Sequence, residues 1–131
     1  MSKVNQEKLT IFLSAWLPPI IWAGLIFAFS SQSILPGFET NTYDFIFKKI
    51  AHITVYGVLY FLVYRAVDLQ IKPKTKKSPA YYLVPFAVLM IYAISDEIHQ
   101  SFVPGRHATL RDVGYDLLGG MSVFFRIHGY I

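Results

Sequence analysis

The chain contains no cysteine among its 131 residues, which excludes disulfides, thiolate metal sites and cysteine nucleophiles. It is also poor in charge, with Asp, Glu, Lys and Arg making up 15% against about 25% in an ordinary soluble domain. A soluble globule so short of charge would expose wide apolar patches, so the composition argues for a membrane protein. The formal charge is +4, but no basic face with a recognisable nucleic-acid motif accompanies it, and a nucleic-acid partner is not expected. There is no internal repeat and no low-complexity segment. At this length a single domain, residues 1–131, is expected.

What is present is apolar: 54% of residues are hydrophobic and 17% aromatic. Four apolar segments, at about 11–30, 49–67, 80–102 and 110–127, predict an all-α membrane protein, a bundle of four transmembrane helices. The first contains "IFLSAWLPPIIWAGLIFAF", uncharged from residue 11 to 29, matching the roughly 20 residues that cross a bilayer. It is too long and too aromatic for a secretory signal peptide. Pro18 and Pro19 inside it are tolerated where neighbouring helices satisfy the freed carbonyls, with a kink expected near Leu17. The fourth segment is short, and Gly114, Gly119 and Gly120 allow close helix approach.

Lysine and arginine counts set the expected topology. Eight lie in the N-terminal tail, the second connection and the C-terminal tail, against four in the first and third connections. Both termini and "QIKPKTKKSP" are therefore expected in the cytoplasm. The polar run "SDEIHQSFVPGRH" (95–107) then falls on the outer face. Residues 31–48 form an outer connection, either a lid or a short interfacial helix.

An ionisable side chain inside a membrane helix is costly unless paired or wet, and each is a functional candidate by default. Asp96, His99 and Gln100 share a face of the third helix, while Glu97 points elsewhere and reads as a solvated or interface charge. Lys49, His52 and Tyr56 form a stripe on the second helix, and Asp112 and Asp116 share a face of the fourth. Ser31 and Gln32 close the outer end of the first. These groups can converge on one outer pocket. Each has a plainer reading beside it. Thr109 to Asp112 fits a capping box; Asp116 can bridge to Lys49 or Arg106; His52 can simply hydrogen-bond within the bundle; Arg106 can clamp Asp96 or Asp112. His107 and His128 read as ordinary surface positions. Tyr60 and Tyr64, which continue the row from Tyr56, read as core packing. His99 with Asp96 one turn away has the form of an oriented general base. Arg106 after Pro104-Gly105 suits bidentate contact with phosphate.

The stretches "FSSQS", "KKIAHITVYGVLY", "SDEIHQSFVPGRHATLRD" and "DVGYDLLGG" together resemble the VanZ-like family of small bacterial membrane proteins, over nearly the whole chain. The resemblance implies a four-helix protein of the bacterial cell membrane. Its signature falls here on Ser31, Gln32, Lys49, His52, Tyr56, Asp96, Glu97, His99, Gln100, Pro104, Gly105, Arg106, Asp112 and Gly119. One position departs from the commonest form: Asp116 stands where Asn is common. The family's namesake is associated with low-level resistance to teicoplanin, a lipoglycopeptide acting on lipid-linked cell-wall precursors.

Three functions fit these residues. The first is a binder of membrane lipid, a lipid-linked cell-wall precursor or a glycopeptide, with Arg106, Lys49, Gln100, Asp112, Tyr56, Gln32 and Ser31 forming the site. The second is an enzyme acting on a lipid or isoprenoid-phosphate headgroup, with His99, Asp96, Asp116 and His52 as the acid-base groups. The third is a small transporter, against which the concentration of polar groups at one end counts. A metal held by Asp96, His99, His52 and Asp112 is a variant of the second reading; Asp-x-x-His is the only local spacing for it, and no metal or other cofactor is assigned.

Overall fold

A computed structural model describes residues 3–33, 41–71, 78–106 and 108–131. Among them are four helices and no strand: α1 (Lys3–Ser30), α2 (Asn41–Gln70), α3 (Pro79–Ser101) and α4 (Leu110–Ile127). α3 and α4 match their apolar segments, whereas α1 outruns its segment at the N-terminal end and α2 outruns its own at both ends. α1 begins at Lys3 rather than at 11, because Gln6, Glu7, Lys8 and Leu9 are good helix formers and continue the helix past the apolar run. It is unbroken through Pro18 and Pro19. α2 begins at Asn41 rather than at 49, so the latter part of the outer connection is a direct extension of the helix, pinned by a Lys48–Asp44 pair of 2.6 Å. Pro36-Gly37, most of "QIKPKTKKSP" and His107 lie outside the described residues.

α3 starts with Pro79 in its first turn, where the missing N–H costs nothing. It ends at a turn in which Gly105 takes φ +79, a left-handed conformation suited to glycine. The Arg106 N–H closes that turn on the Val103 carbonyl at 3.1 Å.

α1, α2 and α3 are each long and apolar enough to cross a bilayer. α4 has 18 residues and carries Arg111, Asp112, Asp116 and Arg126, and it does not meet that standard. Outward faces are apolar: Ile20, Ile21, Phe29, Leu83 and Ile91 are each more than half exposed. Such surface is at home in hydrocarbon and not in water.

α2 is the central helix and touches the other three, most extensively α4. Pairings along its length give the directions. Trp22 Nε1 donates to the Val55 carbonyl and Arg65 reaches the Ser14 carbonyl, so α1 and α2 are antiparallel. Tyr56 meets Asp96 and Tyr64 meets Tyr81, so α3 is antiparallel to α2 as well. Lys49 pairs with Asp112 and His52 with Asp116, so α4 runs parallel to α2. The bundle is up-down-up-down. Close approach of α2 and α4 depends on Gly57 and Gly119, whose backbones abut. Tyr56, Leu59, Tyr60, Val63, Leu89 and Ala93 fill the core.

Candidate functional site

The up-down order brings the C-terminal ends of α1 and α3 to the same end of the bundle as the N-terminal halves of α2 and α4. Polar side chains from all four meet there. Lys49 on α2 forms an ion pair with Asp112 on α4. One turn deeper, His52 Nδ1 lies 2.8 Å from Asp116 Oδ1; Asp116 is 1% exposed. Deeper again, the Tyr56 hydroxyl donates to Asp96 Oδ2 at 2.9 Å. The Gln100 amide donates to that same oxygen at 3.0 Å and to Ser30 Oγ at 3.2 Å. Arg106 Nη2 then donates to Gln100 Oε1 at 2.9 Å. A continuous chain thus runs from Arg106 through Gln100 and Asp96 to Tyr56, and a second pair of contacts ties α2 to α4 beside it.

The structure therefore brings together Lys49, His52, Tyr56, Asp96, Gln100, Arg106, Asp112 and Asp116. It redistributes several expected partnerships. Asp96 does not orient His99: its Oδ2 is taken by Tyr56 and Gln100, and its Oδ1 has no hydrogen-bond partner. Three-residue spacing puts the two side chains on one flank of α3, but Asp96 turns inward to α2 while His99 turns to α1. There the His99 ring stacks on Phe27 with centroids 4.3 Å apart, its Nε2 is 3.4 Å from Ser31 Oγ, and its Nδ1 is buried without a partner. The histidine held by a carboxylate is His52, and its carboxylate is Asp116.

The capping box at Thr109 does not form, since Thr109 makes no side-chain cap and Asp112 turns to Lys49 instead. Glu97 supplies the missing acceptor, taking the Thr109 N–H on Oε2 at 2.7 Å. Far from solvated, Glu97 is 6% exposed. Its role follows from the short α3–α4 turn, which presses the last turn of α3 against the start of α4. Ser31 donates back to the Phe27 carbonyl at 2.7 Å. Gln32 is exposed just past the end of α1.

The charge balance at this end is unusual for an apolar bundle. One carboxylate oxygen each of Asp96, Glu97 and Asp116 is buried with no partner among the described residues, a costly arrangement away from water. Arg106 is half-buried, and among the described residues its guanidinium leans on a neutral amide rather than on a carboxylate. Chemically, the His52–Asp116 pair holds an imidazole with its Nδ1 engaged, and Arg106 offers further N–H donors to an anion.

Among the described residues no three His, Asp or Glu side chains are gathered as metal ligands. Two open hollows, of about 510 and 320 Å³, lie at the other end of the bundle, along Lys3, Gln6, Glu7 and Thr10 and beside Phe12, Leu69 and Gln70. The candidate site rests on its hydrogen-bonded side chains.

Comparison with curated proteins and with solved structures returned no match. The family model described as VanZ/LLP1 matches residues 12–128, nearly the whole chain and every residue of the polar cluster. The chain belongs to the VanZ/LLP1 family.

Proposed function

We propose that this protein crosses the bacterial cell membrane four times with both termini in the cytoplasm, and that its polar end faces outward and binds the anionic headgroup of a lipid or a lipid-linked cell-wall precursor. α4 is the fourth span: it lies parallel to α2 and packed against it, and its carboxylates Asp112 and Asp116 face Lys49 and His52 rather than lipid. The lysine and arginine distribution supports the orientation.

The observation that carries the headgroup reading is Arg106. Lys49 at the same end is matched by Asp112, whereas Arg106 is steadied through Gln100 and keeps donors for a phosphate. Family membership supports a role in the envelope or in glycopeptide resistance, and a teicoplanin-like glycopeptide is a further ligand that would meet the same face. The purified protein is expected to retain phosphatidylglycerol over diacylglycerol, which has the same tails without phosphate, and Arg106→Ala to abolish that preference. Equal retention of the two lipids by the unmodified protein would overturn the reading.

A second reading, an enzyme acting on the same headgroup, is favoured by one observation: the buried His52–Asp116 pair. Asp116 orients the ring and stabilises its protonated form, and Nε2 serves as the general base. His52→Gln would then abolish product formation while leaving lipid retention intact; product formed at the unmodified rate would remove this reading.

A further inference from the structure

Counting along α2 by fours gives His52, Tyr56, Tyr60, Tyr64 and Asp68, five consecutive positions each able to accept and release a proton. From His52 to Asp68 the helix rises about 24 Å, most of the roughly 30 Å of a bilayer's hydrocarbon. Each step also turns the row by about 40° around α2. Tyr56 and Tyr60 are buried and His52, Tyr64 and Asp68 half-buried, because α2 is the central helix and its faces are covered in turn by α4 and α3.

Hydrogen bonds occupy both ends of the row. At the polar end His52 meets Asp116 at 2.8 Å and Tyr56 meets Asp96 at 2.9 Å, with the His52 and Tyr56 rings parallel and 6.3 Å apart. At the opposite end the Tyr81 hydroxyl lies 2.7 Å from that of Tyr64 and 2.8 Å from Asp68 Oδ1. Between them stands Tyr60, fully buried, its hydroxyl without a partner among the described residues. A phenylalanine would pack there without that unpaired polar atom, so the hydroxyl adds nothing to packing.

We propose that this row is a proton relay across the membrane, running from His52 and Asp116 at the polar end through Tyr60 to the Tyr64–Tyr81–Asp68 group at the other. Each hydroxyl oxygen takes a proton from one side as it releases its own to the other. One proton moves per passage, and no group is oxidised or left altered. The steps into and out of Tyr60 are not spanned by direct hydrogen bonds, so transfer there passes through water admitted to the core, and Tyr60 is the point at which the relay is broken most cleanly. The inference rests on α2 crossing the bilayer and not on the headgroup reading.

The test uses the full chain in vesicles of phosphatidylcholine and phosphatidylglycerol with a trapped pH dye, a potassium gradient and valinomycin to drive proton entry. Entry faster than in protein-free vesicles is expected. Tyr60→Phe, which loses only an unpartnered hydroxyl and should melt no earlier than the unmodified protein, is expected to return the rate to the protein-free level. Tyr81→Phe provides a second break, and exposed Tyr130→Phe should change nothing. Entry at the protein-free rate with the unmodified chain, or an undiminished rate in either Tyr60→Phe or Tyr81→Phe, overturns the proposal.

Discussion

Replacing Gly119 by alanine should force α2 and α4 apart. The added methyl would collide with the Ile53 carbonyl oxygen and would sit 2.9 Å from the Gly57 nitrogen and 3.0 Å from the Ile53 carbonyl carbon. All three are backbone atoms of α2, so no rotamer change relieves the clash and a helix must move. Overpacking that side chains can absorb costs about 1–3 kcal/mol, and a backbone clash belongs at the upper end. At about 3 kcal/mol the folded-to-unfolded ratio falls on the order of a hundredfold. The same movement stretches Lys49–Asp112 and His52–Asp116, the side-chain pairs that join α2 to α4 at the polar end. The assay is reversible unfolding in mixed micelles titrated with dodecyl sulfate. Gly114→Ala is the comparator: nothing lies within 4 Å of its added methyl, and a change within about 0.5 kcal/mol is expected. If Gly119→Ala unfolds at the same detergent fraction as Gly114→Ala, the close α2–α4 contact is wrong.

Gly120→Ala should cost less than Gly119→Ala, because its methyl would meet the tip of Leu89 and, at 3.3 Å, the Tyr60 ring rather than backbone; the same titration ranks the two. Glu97→Ala should destabilise by about 1–2 kcal/mol through loss of the acceptor for the Thr109 N–H, and amide exchange at the start of α4 should quicken, which a merely solvated Glu97 would not produce. Lys49→Ala and Asp112→Ala should be coupled by about 0.5–3 kcal/mol in a double-mutant cycle, since either single change leaves a largely buried charge unmatched; additive effects would show that the ion pair contributes nothing.

α1, α2 and α3 were legible because each contains an apolar run of membrane length, and α4 because a shorter apolar run follows the Pro104-Gly105 turn. Their outer limits were not, since the ends of α1 and α2 are polar extensions that hydropathy alone does not distinguish from loop. Shared faces were legible too: Lys49, His52 and Tyr56 fall on one stripe by spacing, as do Asp112 and Asp116. What spacing cannot supply is the register between stripes. His52 and Asp116 are 64 positions apart, and their pairing depends on how far α4 slides along α2, which the Gly57–Gly119 contact determines. His99 shows the converse error. Asp96 is its neighbour within α3, but Tyr56 and Gln100 compete for that carboxylate with better geometry. Spacing leaves Glu97 either solvated or at an interface, because only the α3–α4 turn folding back over it decides between the two. Tyr60 packs in the core as its spacing suggests, but the unpartnered state of its hydroxyl among the described residues is a property of the folded bundle alone.

Every statement about headgroups depends on the polar end lying at the outer surface. Because the chain contains no cysteine, single cysteines report position without interference. Ser33, exposed just beyond α1 at the polar end, and Gln70, exposed at the far end of α2, are the two reporters. With a membrane-impermeant maleimide on intact cells, Ser33→Cys is predicted to label at once and Gln70→Cys only after the membrane is opened. Labelling of Gln70→Cys in intact cells, with Ser33→Cys protected, would place the polar end in the cytoplasm and contradict the account.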